Sequence, residues 1–332
     1  MGQKHRFEHK KFRVAEGDKV RLSKISTAAG KELEGKKDGA QALVDDLTTL
    51  TECQGRLYAE GRRSLLVILQ GMDAAGKDGT IRHVMQGVNP QGCRIHGFRA
   101  PNTEELQHHF LWRPMRFLPE RGMISIFNRS YYEEVLVVRV HPEFLEPQKL
   151  PPFKKLSNLW SQRFDEIRNF EKALINQGTQ VIKFYLHLSQ DEQKKRLLER
   201  LNTPEKQWKF NSRDLDERKL WMEYEKAFED MMENTSTKQA PWYIIPADDK
   251  WYSRAAIADI ITNQLEGMNL QYPEVTAEQR AHYQELAATL GGSIASSKAE
   301  TDIDVEKVNV DSEPESKKSD SKTSDANIKG NS

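Results

Sequence analysis

The most constraining feature of this sequence is a short apolar run that leads directly into a glycine-rich loop, between Leu65 and Thr80. Residues 65–69 are continuously apolar and rich in branched side chains, which is typical of a strand buried on both faces. The residues that follow, Gly-Met-Asp-Ala-Ala-Gly-Lys from Gly71 to Lys77, match the spacing G-x-x-x-x-G-K. In such a loop the backbone N–H groups point at phosphate oxygens, the next helix presents its positive end, and the lysine adds a full charge. The stretch therefore predicts a phosphate-binding loop.

One position departs from the usual form of this loop. Ser or Thr commonly follows the lysine and places its hydroxyl on magnesium, whereas this chain has Asp78. The alternative interpretation is a glycine-rich turn with a chance lysine. The strand before the loop and a helix predicted at residues 81–88 favour the phosphate loop. The residues predicted to contact phosphate or nucleotide are Gly71, Met72, Ala74, Ala75, Gly76, Asp78, Gly79 and Asn128.

The overall charge balance argues against two classes of partner. The 332 residues carry 50 basic and 50 acidic side chains, so bulk attraction to nucleic acid or to an anionic membrane is not expected. No apolar segment is long enough to span a bilayer, and residues 1–21 are basic and polar, so we expect a cytoplasmic protein. The two cysteines, Cys53 and Cys93, are too few for a disulfide framework and lack the spacing of a metal site.

Strands and helices are predicted to alternate along the middle of the chain. We expect strands at residues 65–69, 93–99, 123–127, 181–188 and 242–246, and helices at 40–57, 81–88, 157–176 and 255–265. Asn102 and Glu105 have the spacing of a capping box at a further helix start. Such alternation predicts βαβ units and an α/β fold with a parallel sheet.

Composition divides the chain into four segments. We expect an N-terminal arm at 1–39, an α/β domain at 40–270 with a strongly charged helical region at about 190–232, and a C-terminal helix at 271–290. Residues 291–332 are rich in Ser, Lys, Asp and Glu and contain no aromatic residue, so this tail is predicted to be disordered.

The loop and the end of the third strand supply the candidate catalytic residues. Asp73 lies inside the loop, where a carboxylate beside phosphates is unfavourable unless a cation lies between the two. Asp73 is therefore predicted to bind Mg²⁺. The alternative is that its side chain caps the turn as an Asx motif. Asn128 occupies a position where an Asp that faces the metal is usual. We expect Asn128 to act through water or on the acceptor, and Glu133 to supply the negative charge that the usual Asp would carry. Arg129 is predicted to bind phosphate, with a surface salt bridge as the alternative. The catalytic candidates are Asp73, Lys77, Arg129 and Glu133.

The charged region at about 190–232, broken once near Pro204, holds a second group of candidates. Its basic members are Arg196, Arg200, Lys206, Lys209 and Arg213. One interpretation is a basic lid that closes over a phosphate-rich ligand, excludes water and supplies transition-state charge. The other is a solvated helical pair, since acidic residues are interspersed among the basic ones.

The remaining residues indicate neither covalent catalysis nor a histidine metal site. His108 and His109 are adjacent and point apart on a helix, while the other histidines considered, His83, His96, His141 and His187, are scattered. No nucleophile with a paired base is evident. We therefore expect direct transfer without a phosphoenzyme.

Taken together, these motifs resemble the polyphosphate kinase 2 family over roughly residues 10–269. The resemblance rests on Gly-Met-Asp-Ala-Ala-Gly-Lys-Asp-Gly at 71–79, Phe-Asn-Arg-Ser-Tyr-Tyr at 127–132, Leu-His-Leu-Ser at 186–189, and Thr-Ser-Thr-Lys-Gln-Ala-Pro-Trp at 235–242 leading to Ile-Pro-Ala-Asp-Asp-Lys at 245–250. The family implies a thymidylate-kinase-like P-loop kinase fold, a three-layer αβα arrangement with a parallel sheet and a helical lid. It also implies that Asp73 binds the metal, that Lys77 and Arg129 contact phosphate, and that the basic lid residues contact polyphosphate.

The activity implied by the resemblance is the transfer of phosphate between inorganic polyphosphate and nucleotides with Mg²⁺, or Mn²⁺ as an alternative. Many members have Asp where this chain has Asn128, and residues 128–142 are similar to the subgroup that phosphorylates both nucleoside mono- and diphosphates. We therefore expect reversible transfer to AMP or ADP, forming ADP or ATP, and to GMP or GDP, forming GDP or GTP. A homo-oligomer is expected from the apolar helix faces and the arm. The alternatives are an ATP-dependent nucleotide kinase and a non-catalytic binding protein.

Overall fold

The computed structural model describes residues 5–294 and places six strands of this part of the chain in one sheet. The strands are β1 Arg13–Val14, β2 Ser64–Gly71, β3 Cys93–Gly97, β4 Ile124–Asn128, β5 Thr179–His187 and β6 Trp242–Pro246. Across the sheet they lie in the order β1-β6-β5-β2-β4-β3, and only the pairing of β1 with β6 is antiparallel. The predicted α/β fold with a parallel sheet is confirmed, whereas β1 was not predicted.

Helices cover both faces of this sheet. The α-helices of the described residues are α1 Lys36–Glu60, α2 Lys77–Val84, α3 Thr103–Leu106, α4 Trp112–Met115, α5 Val137–Val140, α6 Leu156–Asn176, α7 Gln190–Asn202, α8 Pro204–Gln207, α9 Arg213–Lys219, α10 Trp221–Thr235, α11 Lys250–Gly267 and α12 Ala277–Thr289. Leu65, Val67 and Leu69 of β2 pack in a core with α1, α2 and α11, whereas Leu66 and Ile68 pack in a second core with α6 and α10. Since successive side chains of a strand point to opposite faces, β2 is buried on both sides and the fold has three layers.

The register of the central strands brings three loops to one edge of the sheet. Leu69 of β2 pairs with Asn128 of β4, and Gly71 pairs with Leu186 of β5. All three strands therefore end at the same level, where the loop before α2, the segment after β4 and the start of α7 meet. Ligands of open parallel sheets bind at this edge, outside the carboxyl ends of the strands.

The described part of the N-terminal arm packs against the α/β domain. Phe7 and Phe12 enter the core formed with α11, and Leu22 enters the core on the other face. Arg13 and Val14 form β1 and pair with Tyr243 and Trp242 of β6. A strand of two residues is too short to show a periodic apolar pattern, so it could not be predicted from the sequence.

The charged region after β5 is helical, as expected, but it is divided more often than predicted. Pro204 starts α8 directly after the predicted break, because a proline is tolerated at the first helical position and not in the interior. A further break precedes α9, where the Asn211 side chain accepts a hydrogen bond from Arg213 N (3.0 Å). Such local side-chain bonds compete with the helix. A last short break separates α9 from α10 at Leu220.

The C-terminal part of the described chain is the exposed helix α12, which has no buried residue. The tail that was predicted to be disordered lies outside the described residues from 295 onward. The boundaries proposed at residues 39, 270 and 290 stay predictions. Among the helices of residues 5–294, none combines the length and the hydropathy needed to cross a membrane.

Candidate active site

The predicted phosphate loop connects β2 to α2, and its backbone requires glycine at two positions. Gly71 has φ 157° and Gly76 has φ 102°, where side chains are disfavoured. A Cβ on Gly71 would lie 3.0 Å from the carbonyl oxygen of Leu186, so the loop could not pass β5 with a larger residue. Ala74 also has a positive φ of 62°, a local strain of the kind found at functional sites.

Helix α2 begins directly after Gly76 and therefore earlier than the predicted residue 81. Its first residues are Lys77, Asp78 and Gly79, so the loop residues Met72, Ala74 and Ala75 precede the positive end of this helix. The first N–H groups of a helix have no partner within it and are suited to bind an anion. The sequence-predicted contacts from Gly71 to Gly79 thus form one continuous turn at the edge of the sheet.

Lys77 is buried against the loop. Its ammonium donates hydrogen bonds to the carbonyl oxygens of Gly71 (2.6 Å) and Met72 (3.1 Å). Burial, and then the nearby charge of Arg129, lower the pKa of Lys77 to about 8. The lysine therefore lies at the predicted position and orders the loop, and it loses its charge at a lower pH than an exposed lysine would.

Arg129 and Asp73 form an ion pair inside the site, with 2.9 Å between Nη2 of the arginine and Oδ1 of the aspartate. Arg129 has φ 63°, and its N–H donates to the carbonyl oxygen of Leu69, which fixes the turn after β4. Burial opposes its charge, but the Glu133 and Asp73 carboxylates outweigh this and raise the pKa of Arg129. The arginine is thus paired within the site, and phosphate would have to compete with Asp73 for it.

Glu133 lies in a 3₁₀ helix, Tyr131–Val135, that follows Arg129. The Ser130 side chain caps this helix by accepting a hydrogen bond from Tyr132 N (3.2 Å). Burial raises the pKa of Glu133, although the positive charges of Arg129 and Lys77 oppose this shift. Its carboxyl group therefore lies within electrostatic range of both candidate phosphate-binding cations.

The two residues that depart from the usual metal motif are in contact with each other. Nδ2 of Asn128 donates a hydrogen bond to Oδ1 of Asp78 (2.6 Å). An aspartate in place of Asn128 would set two carboxylates against one another at this distance, which is unfavourable. Asp78 and Asn128 are therefore a matched pair, a relation that the sequence did not reveal because the residues are distant in the chain.

Arg196 has a different place from the one expected for a lid residue. Its guanidinium donates to Glu192 Oε1 (2.9 Å) and to four carbonyl oxygens, those of Ala74 (3.1 Å), Ala75 (3.0 Å), Ala247 (2.6 Å) and Asp248 (2.9 Å). A guanidinium has five N–H donors, and all five are used here. Arg196 therefore holds the phosphate loop against the segment after β6, and in this conformation no donor is left for polyphosphate.

The other basic candidates of the lid region pair with groups of the region itself. Arg200 lies 3.5 Å from Asp214, Lys206 lies 2.7 Å from Glu199, and the Lys209 ammonium lies 5.1 Å from the centre of the Trp208 ring. Arg213 is exposed at the start of α9. Both interpretations of this region stay open, because these pairs are compatible with a solvated helical pair and with a lid whose charges await a ligand.

Sequence reasoning missed two residues that support the loop from α7 and α9. Gln193 donates a hydrogen bond to the carbonyl oxygen of Asp73 (2.9 Å). Arg218 in turn donates to the Gln193 side chain and to the carbonyl oxygen of Gln190, both at 2.8 Å. The available signal was the spacing of Gln193 and Arg196, which places both on one face of α7.

A buried polar network behind the site was also missed. Glu171 of α6 accepts hydrogen bonds from the hydroxyls of Tyr131 (2.8 Å) and Tyr132 (2.7 Å) and from the Lys183 ammonium (2.6 Å). The Lys183 side chain is fully buried and also donates to the carbonyl oxygen of Thr235. The signal was a lysine within the apolar run of β5, which has to find a buried partner. The network anchors the segment that carries Arg129 and Glu133.

A cavity of about 490 Å³ lies beside this edge of the sheet, between the arm, the loop after β5 and the start of α10. Its lining includes Thr27, His187, Ser189 and Trp221, and none of the predicted site residues. The convergence of the predicted residues around the loop therefore defines the candidate site, and this cavity does not.

Comparison with known proteins identifies the relatives of this chain. Residues 33–273 match the family described as Polyphosphate kinase 2. The ADP-polyphosphate phosphotransferase of Rhodopseudomonas palustris is 47% identical over 272 residues, which is 82% of this chain and 94% of the relative. The AMP/ADP-polyphosphate phosphotransferase of Meiothermus ruber is 45% identical over 266 residues, 80% of this chain and 96% of the relative.

A solved structure agrees with these sequence relatives. The crystal structure of Polyphosphate Kinase 2 from Arthrobacter aurescens is similar with a TM-score of 0.74 and 38% identity, over 82% of this chain and 95% of that chain. The predicted fold class is therefore confirmed at the level of the whole domain, and the chain is an enzyme. Sequence, fold and the ordered phosphate loop lead to the same conclusion: the chain belongs to the polyphosphate kinase 2 family.

Proposed function

We propose that this enzyme transfers the terminal phosphoryl group of inorganic polyphosphate to AMP or ADP, reversibly and without a phosphoenzyme. The observation that carries the proposal is the convergence of Lys77, Arg129, Asp73 and Glu133 around one loop at the carboxyl ends of β2 and β4. Phosphoryl transfer requires such a cradle with positive groups aimed at the transferring phosphate, and little covalent chemistry. The names of the two relatives, which act on ADP or on AMP and ADP, support the same reaction.

Within this proposal, the loop amides and the two cations hold the phosphates in line. Lys77 and Arg129 neutralise oxygens of the transferring group, and Arg129 exchanges part of its pairing with Asp73 for phosphate. Glu133 orients the acceptor side, and its carboxyl group lies within electrostatic range of both cations. Since the charge of Arg129 is balanced by Asp73 before substrate binds, donor phosphate and metal are expected to bind together.

The donor set around the loop fits a hard divalent cation. Asp73 uses Oδ1 for Arg129, while its Oδ2 makes no hydrogen bond with the described residues. Carboxylate oxygen is the ligand that Mg²⁺ prefers, and the carboxyl groups of Glu133 and Asp214 lie within electrostatic range of that of Asp73. Asp73 would therefore hold Mg²⁺, or Mn²⁺ in its place. When bound, the cation supplies charge neutralisation of the phosphates during transfer.

For the donor chain, we assign polyphosphate contacts to Arg200, Lys206, Lys209 and Arg213 of the lid region. Polyphosphate carries about one charge per unit, so a protein of zero net charge has to concentrate positive groups locally. Arg196 is excluded from this group because Glu192, the loop and the segment after β6 together use all five of its donors. A homo-oligomer, a cytoplasmic location and activity on GMP and GDP, giving GTP, are further parts of the proposal.

The test is an assay from which ATP is absent. Enzyme, polyphosphate and Mg²⁺ are incubated with AMP alone or with ADP alone, and products are separated by chromatography. ADP and then ATP are expected from AMP, and ATP from ADP. Turnover only with ATP as donor would indicate an ordinary nucleotide kinase, and binding of polyphosphate without product would indicate a non-catalytic protein.

A variant links this activity to the loop. Lys77→Ala is expected to abolish turnover while circular dichroism and the unfolding midpoint show a folded protein. Lys24, which lies in the arm, provides a control: Lys24→Ala should keep the wild-type rate. Near-normal turnover of folded Lys77→Ala would contradict the assignment of the loop.

A further inference from the structure

A group of side chains with metal-binding chemistry lies far from the phosphate loop in sequence, where the arm crosses α11. His5 and His9 of the arm meet Asp259 of α11, and the three ligand atoms lie within 4.8 Å of one another. Asp259 is 2% exposed, and each histidine side chain is 18% exposed. The sequence indicated no set of histidines suited to a metal, because this group forms only when residues about 250 positions apart come together.

The hydrogen-bonding capacity of His5 is the first reason to expect a cation. Its Nδ1 lies 2.5 Å from Oδ1 of Asp259, and its Nε2 lies 3.0 Å from Oε2 of Glu266. A neutral imidazole has one N–H, so it can satisfy only one of the two carboxylates. The other nitrogen would turn a lone pair toward a carboxylate oxygen. Either His5 carries a second proton, or a cation bound by both Nδ1 and Asp259 replaces the hydrogen bond between them, with Nδ1 and Oδ1 moving apart to make room for it.

The charge of the group is the second reason. Asp259 and Glu266 bring two negative charges, whereas the two imidazoles are neutral unless protonated. The nearby Arg6 is directed to other partners, Asp38 (2.6 Å) and Asp45 (2.9 Å). A divalent cation would balance the two carboxylates without any protonation of histidine.

We propose that His5, His9 and Asp259 form a site for a divalent transition-metal cation of the zinc class, with three protein ligands and water in the fourth position. Two imidazole nitrogens and a carboxylate oxygen suit zinc and neighbouring metals, whereas Mg²⁺ prefers oxygen ligands alone. Glu266 completes the arrangement, because a carboxylate that accepts the second N–H of a ligating histidine fixes its tautomer and orientation. The site is therefore chemically distinct from the Mg²⁺ site proposed at Asp73.

The consequence of metal binding would be a firmer attachment of the arm. Between the two histidines, Phe7 donates its backbone N–H to Oδ2 of Asp259 (3.1 Å) and packs edge-on against Tyr252 of α11, with 5.4 Å between ring centres. A cation that binds the folded arm and not the unfolded chain stabilises the folded state by mass action. The arm would then be held at its start by metal and further along by β1.

The experiment uses the full chain without an affinity tag, since a histidine tag would bind the same metals. After treatment with chelator, the protein is titrated with Zn²⁺ in excess Mg²⁺, and bound metal, the thermal midpoint and hydrogen exchange of residues 5–14 are measured. The test variant is His5→Gln/His9→Gln. The matched control is His282→Gln, which alters an exposed histidine of α12.

We expect one equivalent of Zn²⁺ in the wild type and in His282→Gln, with a higher midpoint and slower exchange in the arm. The double variant should lose this equivalent and both responses while keeping its phosphotransferase activity in Mg²⁺. Equal Zn²⁺ binding by the wild type and the double variant would overturn the proposal. The proposal would also be overturned if hydrogen exchange of the arm became faster as pH rises and did not respond to Zn²⁺, because protonated histidines would then hold the arm.

Discussion

The buried pair of Lys183 and Glu171 offers a sharp test of how the site is supported. Lys183→Met removes the ammonium that lies 2.6 Å from the Glu171 carboxylate, in a place where both side chains are at most 2% exposed. Removal of one partner of a buried ion pair leaves an uncompensated charge and costs about 3 to 5 kcal/mol. At a urea slope of about 3 kcal/mol per molar, the unfolding midpoint should fall by about 1 to 1.7 M.

The assay is reversible urea unfolding of three variants. Glu171→Gln should gain stability as pH rises, because burial lowers the pKa of Lys183 and the unpaired lysine then loses its proton. The double variant should be no less stable than either single one, since it leaves no unpaired charge.

The matched control is Lys219→Met, which breaks an exposed pair with Asp216 at 2.8 Å. Such exposed pairs contribute little, so its midpoint should equal that of the wild type. If Lys183→Met shifted the midpoint no more than this control, or if the stability of Glu171→Gln did not rise with pH, the reasoning about a charged, coupled pair would be refuted.

Two further predictions concern the loop. The ratio kcat/KM for polyphosphate should fall above about pH 8, since the pKa of Lys77 is lowered to about 8 and its charge is lost above that value. Lys77→Arg should keep any activity it has through pH 9. A wild-type ratio that is unchanged at pH 9 would contradict a role for the charge of Lys77. Arg196→Lys should lower the free energy of unfolding by about 2 kcal/mol or more, because buried carbonyl groups lose their donors. This variant should also have a lower kcat. Arg200→Lys, in contrast, should mainly raise KM for polyphosphate. A stable Arg196→Lys with only a raised KM would return Arg196 to the set of substrate contacts.

The sequence was sufficient for the parts of the fold that depend on local patterns. The apolar run of β2, the glycine spacing of the loop and the cap at Asn102 each act within a few residues, and the structure has all three, including the capping box with Glu105. These patterns report backbone geometry, which is why the position of the loop and the order of the elements could be predicted.

Pairings between distant residues could not be predicted in this way. The contact of Asn128 with Asp78 and the contacts of Arg196 with both the loop and the segment after β6 depend on which elements meet, and periodicity contains no information on that. A basic residue on a charged helix has the same local pattern whether it faces a ligand or a carbonyl group. Sequence reasoning therefore grouped Arg196 with Arg200, although their surroundings differ.

The antiparallel pairing of β1 with β6 affects how the chain can be made. Arg13 pairs with Tyr243, so 230 residues separate the two partners. At the usual rate of protein synthesis, β6 is synthesised about 10 to 50 seconds after β1. During that interval the core that buries Phe7 and Phe12 is incomplete. These two side chains therefore stay exposed to solvent until the rest of the domain has been synthesised.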